Sequence, residues 1–189
     1  MLTLSIPDLE TDRLVFRAPR AEDVGPFRAF LESERSRFLG GPMTGRAVSR
    51  AFGHCAGLWV LRGYSSFVGT LKESGRAIGL FGAWYPMDWP EPEFAWTLWD
   101  GADEGQGYVA EAMDRLIPWS WETLGLRSAI SVIDDDNLRS ARVAERLGAV
   151  RDPEAEGVAN RPGSPFHEPE SVPARIYRHS APGSRGARA

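Results

Sequence analysis

Cysteine occurs once in the 189 residues, at Cys55, so the chain holds no internal disulfide framework and no multi-cysteine zinc site. A single thiol fits a reducing compartment, and Cys55 reads as a small helix residue. Long apolar runs are missing too: nowhere do eighteen apolar residues follow one another, which excludes a membrane-spanning helix. Met1 to Glu10 has no basic stretch followed by an apolar one, so no export signal is read and a cytoplasmic protein is expected. Positive charge is in deficit, with 22 Lys and Arg against 26 Asp and Glu and a net charge of -4. That balance excludes the basic field with which nucleic-acid binders neutralise phosphate. His54, His167 and His179 stand far apart, form no ligand pair and read as surface residues, so no metal is implied.

What is present is ordinary globular composition, 42% apolar and 25% charged, at a length that suits one domain. That domain is expected over 1–180, with a disordered tail over 181–189. Arg13 to Arg17 is short and β-prone, and Pro19 closes it, which predicts an opening strand. Val24, Phe27, Phe30 and Leu31 recur at helical spacing after an acidic start at Ala21-Glu22-Asp23. A second helix is expected from about Arg46 to Gly57. Ser65 to Lys72 and Arg76 to Trp84 read as a hairpin turning at Glu73-Ser74-Gly75, and Glu93 to Trp99 as a third strand after a Pro-rich loop. A helix from about Tyr108 to Leu124 follows, stopped by Gly125, then a strand from Ser128 to Ile133 and a helix from Asn137 to Gly148. From Arg151 to Pro173 the composition predicts irregular structure, and Ala174 to Arg178 an edge strand. This order gives an α+β sheet with helices on its faces.

The chemistry concentrates where Glu93 to Trp99 runs toward Gly105-Gln106-Gly107 and on into a helix at Tyr108. A helix start exposes unpaired N–H groups at the positive end of its dipole, and a turn free of side chains lets that backbone press against a phosphate. No G-x-x-x-x-G-K-[ST] exists, and Ala110 stands where the third glycine of a Rossmann loop would be.

The run Gly105-Gln106-Gly107-Tyr108 with Glu111-Ala112 resembles the acetyl-CoA pyrophosphate loop of the GNAT acetyltransferases, particularly the branch with the ribosomal-protein N-terminal acetyltransferases. Glu10 to Arg17, Gly75 to Gly82 and Leu124 to Gly148 are similar in order to that branch's opening strand, central hairpin and second half. The resemblance implies the GNAT fold: a three-layer α/β/α arrangement around a mixed, mostly antiparallel sheet of about six to seven strands. It implies acetyl-CoA as co-substrate, held by Gly105, Gln106, Gly107, Tyr108, Val109 and Ala110. Asn137-Leu138-Arg139-Ser140 matches the family's N-x-x-S, which implies that Asn137 and Ser140 lie near the pantetheine arm. Taken alone, Asn137 is an N-cap and Ser140 a first-turn residue.

The chain departs from the family pattern at Ala102, where Gln or Arg is frequent, with Asp103 and Glu104 beside it as carboxylates that repel phosphate unless they point away. Ala144 stands where many members carry a thiolate-protonating tyrosine. Pro118 removes the helix bond to Asp114, costing about 3 kcal/mol unless a kink absorbs it.

Acetyl transfer needs a neutral amine, a polarised carbonyl and a protonated leaving thiolate. Glu93 is the candidate base, with Glu91 two residues away carrying the same chemistry. The backbone around Trp96, Thr97 and Leu98 is the candidate surface for carbonyl and pantetheine if its strand splays from its neighbour. Ser140 or a water is the candidate acid, with Tyr177 only if the terminal strand folds back over the site. The acceptor pocket is expected between the first two helices and the loop Trp84 to Pro92. The acceptor is expected to be an amine, either a small molecule or a protein N-terminus, on a monomer or homodimer with no nucleic-acid or membrane partner. The rival readings are a GNAT-like module that binds acyl-CoA without catalysis, and an enzyme that uses the glycine turn for ATP.

Overall fold

A computed structural model describes residues 5–167 and 172–183. Eight strands form one sheet: β1 Leu9–Glu10, β2 Leu14–Arg17, β3 Phe67–Leu71, β4 Ala77–Trp84, β5 Glu93–Leu98, β6 Ser128–Asp134, β7 Val150–Arg151 and β8 Ala174–Ser180. Their spatial order is β1-β2-β3-β4-β5-β6-β8-β7, antiparallel throughout except for β5 against β6. The two strands beyond the expected six are the two-residue pieces β1 and β7.

Period-two alternation sorts the side chains between two helical layers. On β3 and β4, Phe67 pairs with Phe81 and Val68 with Leu80. Phe67 and Phe81 join a core under α3, Tyr108–Thr123, while Val68 and Leu80 join one under α1, Val24–Leu31, and α2, Arg46–Leu61. On β5, Phe94 and Trp96 belong to the α3 side, so Glu93, Ala95 and Thr97 face the α1/α2 side. A fourth helix, α4, Leu138–Arg146, covers Ile133 and Tyr177 through Ala141 and Ala144. Pro118 lies inside an unbroken α3; Asp114 and Pro118 are both exposed, so the carbonyl deprived of its partner faces water.

Two expectations give way. Ala174 to Arg178 is not an edge strand: β8 is interior, pairing with β6 from Ser128↔Ser180 to Asp134↔Ala174 and with β7 on its other side. The stretch after Arg151 is not all irregular. It contains α5, Pro153–Ala159, capped by the Asp152 carboxylate on the Ala155 N–H at 3.1 Å, with Pro153 in the first turn. Residues 168–171 of that stretch lie outside the described residues. So do 184–189 of the expected tail, whereas Ala181 is buried with its N–H on the Arg127 carbonyl at 3.0 Å.

Candidate active site

β4 and β5 pair along six positions, but β5 and β6 share a single register pair, Glu93 opposite Ile130. The last links across the gap are side-chain made. Ser131 Oγ donates to the Phe94 carbonyl at 2.7 Å, and Glu93 Oε1 accepts the Val132 N–H at 3.2 Å. From Ala95 onward β5 and β6 share no register pair, so the β5 edge at Trp96 and Leu98 is not paired with β6, and the Leu98 carbonyl accepts from Arg35 Nη2 at 3.2 Å. Thr97 turns its hydroxyl the other way, accepting the Leu80 N–H at 3.2 Å.

Glu93 is 7% exposed, and burial, opposed only by the Val132 N–H, pushes its pKa up to about 8. Glu91, identical in chemistry, is engaged differently: both its oxygens accept from Arg178, at 2.7 and 3.0 Å.

β5 leads through the 3-10 turn Gly101–Asp103 into the glycine turn. Gly105, Gln106 and Gly107 are exposed, and Tyr108, Val109 and Ala110 are half-buried. Gly107 is the N-cap of α3 at φ 80°, and Gly105 stands at φ 75°, conformations that glycine adopts without strain. A Cβ at Gly105 would meet nothing within 4 Å, and one at Gly107 only Arg13 Nη2 at 3.6 Å, so no side chain crowds the two glycines. Arg13 also donates to the Gln106 carbonyl at 2.9 Å and lies over the Tyr108 ring. Glu111, in the first turn of α3, accepts from Thr11 Oγ1 at 2.6 Å and from the Arg13 N–H and guanidinium at 2.9 and 2.6 Å, which ties this corner of the sheet to the turn.

The two worrying carboxylates are neutralised by arginines remote in sequence. Asp103 is buried and accepts two bonds from Arg76, at 2.8 and 2.6 Å. Glu104 pairs with Arg35 at 2.8 Å and with Arg139. Arg139 is in the first turn of α4, so the Glu104 contact brings that helix start, with Asn137 and Ser140, beside the glycine turn. Asn137 caps α4, its Oδ1 accepting the Ser140 N–H at 3.3 Å. β8 returns beside β6, as required for Tyr177 to approach: the phenol is buried among Ile133, Ala141, Ala144 and Ala149, with Trp96 packed on the same cluster. Space beside Ala144 is thus filled by a tyrosine from another element.

His179 is not a surface residue. It is 3% exposed on β8, with Nε2 3.0 Å from Ser131 Oγ, because strand alternation turns it inward under Phe94. Its wide sequence spacing carried no sign of this.

A cleft of about 790 Å³ opens on the α1/α2 side of the sheet, the face Glu93 occupies. Asp88, Pro90 and Glu91 of the loop before β5 form one wall, and no residue of α1 or α2 lines it. The opposite wall is α5 with Ser164, Pro165 and Phe166, and the floor is Ile130 and Ile176. Trp89 meets Phe166 edge-on at 4.6 Å and Trp84 at 6.5 Å, which joins the loop to both flanks. The α5 wall had a readable signal, Asp152-Pro153 as a helix start, masked by the surrounding Pro and Gly.

A family model described as Acetyltransferase (GNAT) domain matches residues 13–150. An acetyltransferase from Agrobacterium tumefaciens is 34% identical over 96% of this chain and 98% of that one, with a TM-score of 0.80. A ribosomal-protein-S5-alanine acetyltransferase from Vibrio fischeri is 16% identical over 94% and 98%, with a TM-score of 0.67. A ribosomal L7/L12 α-N-protein acetyltransferase, solved in complex with coenzyme A, is 15% identical over 90% and 95%, also at 0.67. At such identities the last two speak for the fold alone. Comparison with curated proteins gave no match. Among the described residues no helix is long and apolar enough to cross a membrane.

Proposed function

The chain belongs to the GNAT acetyltransferase family, and from that premise we propose that it transfers acetyl from acetyl-CoA to a primary amine by direct attack in a ternary complex. The observation that carries this reading is the exposed turn Gly105 to Gly107 leading into the start of α3, beside a strand pair that shares one register position, with both nearby carboxylates already paired to arginines. Acetyl-CoA supplies an activated acyl group. Every other requirement falls to this chain's residues.

The N–H groups at the start of α3 hold the diphosphate, and the exposed edge of β5 at Trp96 to Leu98 lines the thioester arm through the split. In this reading the thioester arm enters the split from the α3/α4 side and the amine reaches it from the opposite face. The amine enters from the cleft on that face. Glu93 takes a proton from the ammonium, the nitrogen then forms the C–N bond as C–S breaks, and the second nitrogen proton passes to the Ser140 oxygen as Ser140 gives its own to the sulfur. An α-ammonium with a pKa near 8 matches a base of about 8, whereas a lysine-type ammonium near 10.4 is a poorer match. Glu91, held by Arg178, is the weaker candidate.

The non-catalytic alternative drew on Ala144 and on the acidity of Asp103 and Glu104. Pairing of those carboxylates and the phenol of Tyr177 beside Ala144 favour the enzyme. Thiol release from acetyl-CoA with a mixed amine pool tests it. Release above background that Glu93→Gln abolishes supports transfer; tight CoA binding with no release points to a binding module, and nucleotide binding that acetyl-CoA does not displace points to the ATP reading. Ser140→Ala and Tyr177→Phe, measured together, separate the two hydroxyls as proton donors.

A further inference from the structure

Resting on that reading, we propose that the acceptor is a small primary amine with an apolar body, selected by the cleft between α5 and the loop before β5. A volume of about 790 Å³ lies in the range of small-molecule sites, about 300–1,000 Å³. Its floor is aliphatic, Ile130 and Ile176 on adjacent strands, and Val158 and Phe166 extend that surface up the far wall. Such a floor rewards a hydrocarbon, and the floor itself offers a charge no partner.

Charge at the rim fixes the sign of the head group. Four carboxylates, Asp88, Glu91, Asp152 and Glu154, face two arginines, Arg161 and Arg178. Arg178 is consumed by Glu91 and Asp152, so it is not open to an anion. Among the described residues, Asp88 and Glu154 form no ion pair. Arg161 is the other rim arginine, and against it Asp88 and Glu154 leave a net negative rim, so an ammonium is attracted.

Geometry points the head group toward the split. Ile130 of the floor sits opposite Glu93 in register and donates its N–H to the Pro92 carbonyl at 2.9 Å, so the floor borders the strand position that carries Glu93. A polypeptide end is less well served. The β8 backbone at the cleft is already satisfied: the Ile176 N–H donates to Glu156 Oε1 at 3.3 Å and its carbonyl accepts from Asp152. Asn160 bonds both the N–H and the carbonyl of Ala174, at 2.8 Å each. Among the described residues that line the cleft, β8 offers no free edge to pair with a peptide's amides.

The test is initial-rate thiol release by the full chain with saturating acetyl-CoA, across ethylamine, butylamine, hexylamine, phenylethylamine, spermidine and a tripeptide with a free N-terminus. The proposal expects kcat/KM to climb about four-fold per methylene along the alkyl series, the ratio that roughly 0.8 kcal/mol per buried methylene gives. It expects phenylethylamine to exceed spermidine and the tripeptide at least ten-fold. Val158→Arg, on the exposed side of α5, should raise KM for hexylamine at least ten-fold without moving KM for acetyl-CoA. Glu154→Lys should raise the same amine KM several-fold at low salt. A flat alkyl series, preference for spermidine or the tripeptide, or indifference to both substitutions overturns the selection proposed here and leaves acetyl transfer standing. Bound acetyl-CoA that releases thiol to no amine overturns the transfer reading as well.

Discussion

Glu91 and Glu93 are two residues apart with the same side chain, and their neighbours separate them. Arg178 holds the first as an ion pair, while the second has one backbone N–H and no cation. With the Glu93 pKa pushed to about 8 by burial, kcat/KM for a fixed amine should rise with pH through a limb near 8. Glu93→Gln should lose that limb and about 10²–10⁴-fold in rate, as read from pH–rate profiles of both forms. Stability should run the other way. The folded chain keeps this proton up to about 8, whereas the unfolded chain releases it near 4.5, so stability is full below 4.5 and falls as pH rises through 8. Thermal melts should show wild type losing Tm between about pH 5 and 8, with Glu93→Gln losing less. His179 has the opposite sign. Burial lowers its pKa from 6.5 to about 4, so its contribution is present above 6.5 and lost as pH falls through 4, about 3 kcal/mol in all. His179→Gln should flatten acid denaturation across that window. Glu93 is named from the sequence as a candidate by its place before the glycine turn, while its burial is a finding of the structure. The inward turn of His179 was not legible there, because it depends on which face of β8 meets Phe94.

The elements that hold the candidate site were more readable than the contacts between them. Apolar periodicity and glycine placement gave α3, β3, β4 and β5 nearly to the residue, since local spacing decides them. What neutralises Asp103 and Glu104 lies 27 to 69 positions away in sequence, at Arg76, Arg35 and Arg139, where no local pattern reaches. Removing Arg76 leaves the buried Asp103 carboxylate without its cation, so Arg76→Ala should cost about 1–3 kcal/mol in denaturant melts. The same variant should weaken acetyl-CoA binding by restoring a negative charge beside the turn. Gly107→Ala asks for φ 80° from a residue with a Cβ, at about 1–2 kcal/mol, and places a methyl group on the exposed turn. Calorimetry should find acetyl-CoA affinity reduced more than ten-fold with α3 intact by circular dichroism. The edge expectation for Ala174 to Arg178 failed because β-propensity says nothing about a strand's neighbours. The α5 helix was overlooked because Pro and Gly dominate the composition around its cap.

At the scale of the molecule, β8 joins two halves that the chain builds separately. It pairs with β6 along seven positions, carries Tyr177 into the α4 core and His179 toward Phe94, and forms part of the cleft floor through Ile176. A chain ending at residue 173 should therefore lack a cooperative unfolding transition and expose apolar surface to a fluorescent dye, and it should neither bind acetyl-CoA nor release thiol. Of the eight strands, this interior one leaves the ribosome last. Until then β6 shows a long unpaired flank, and the nascent protein must survive in that form for the time needed to add the intervening residues. Contacts of such wide sequence separation fold slowly, which makes chaperone demand during synthesis, rather than the stability of the finished sheet, the quantity most exposed to substitutions in this strand.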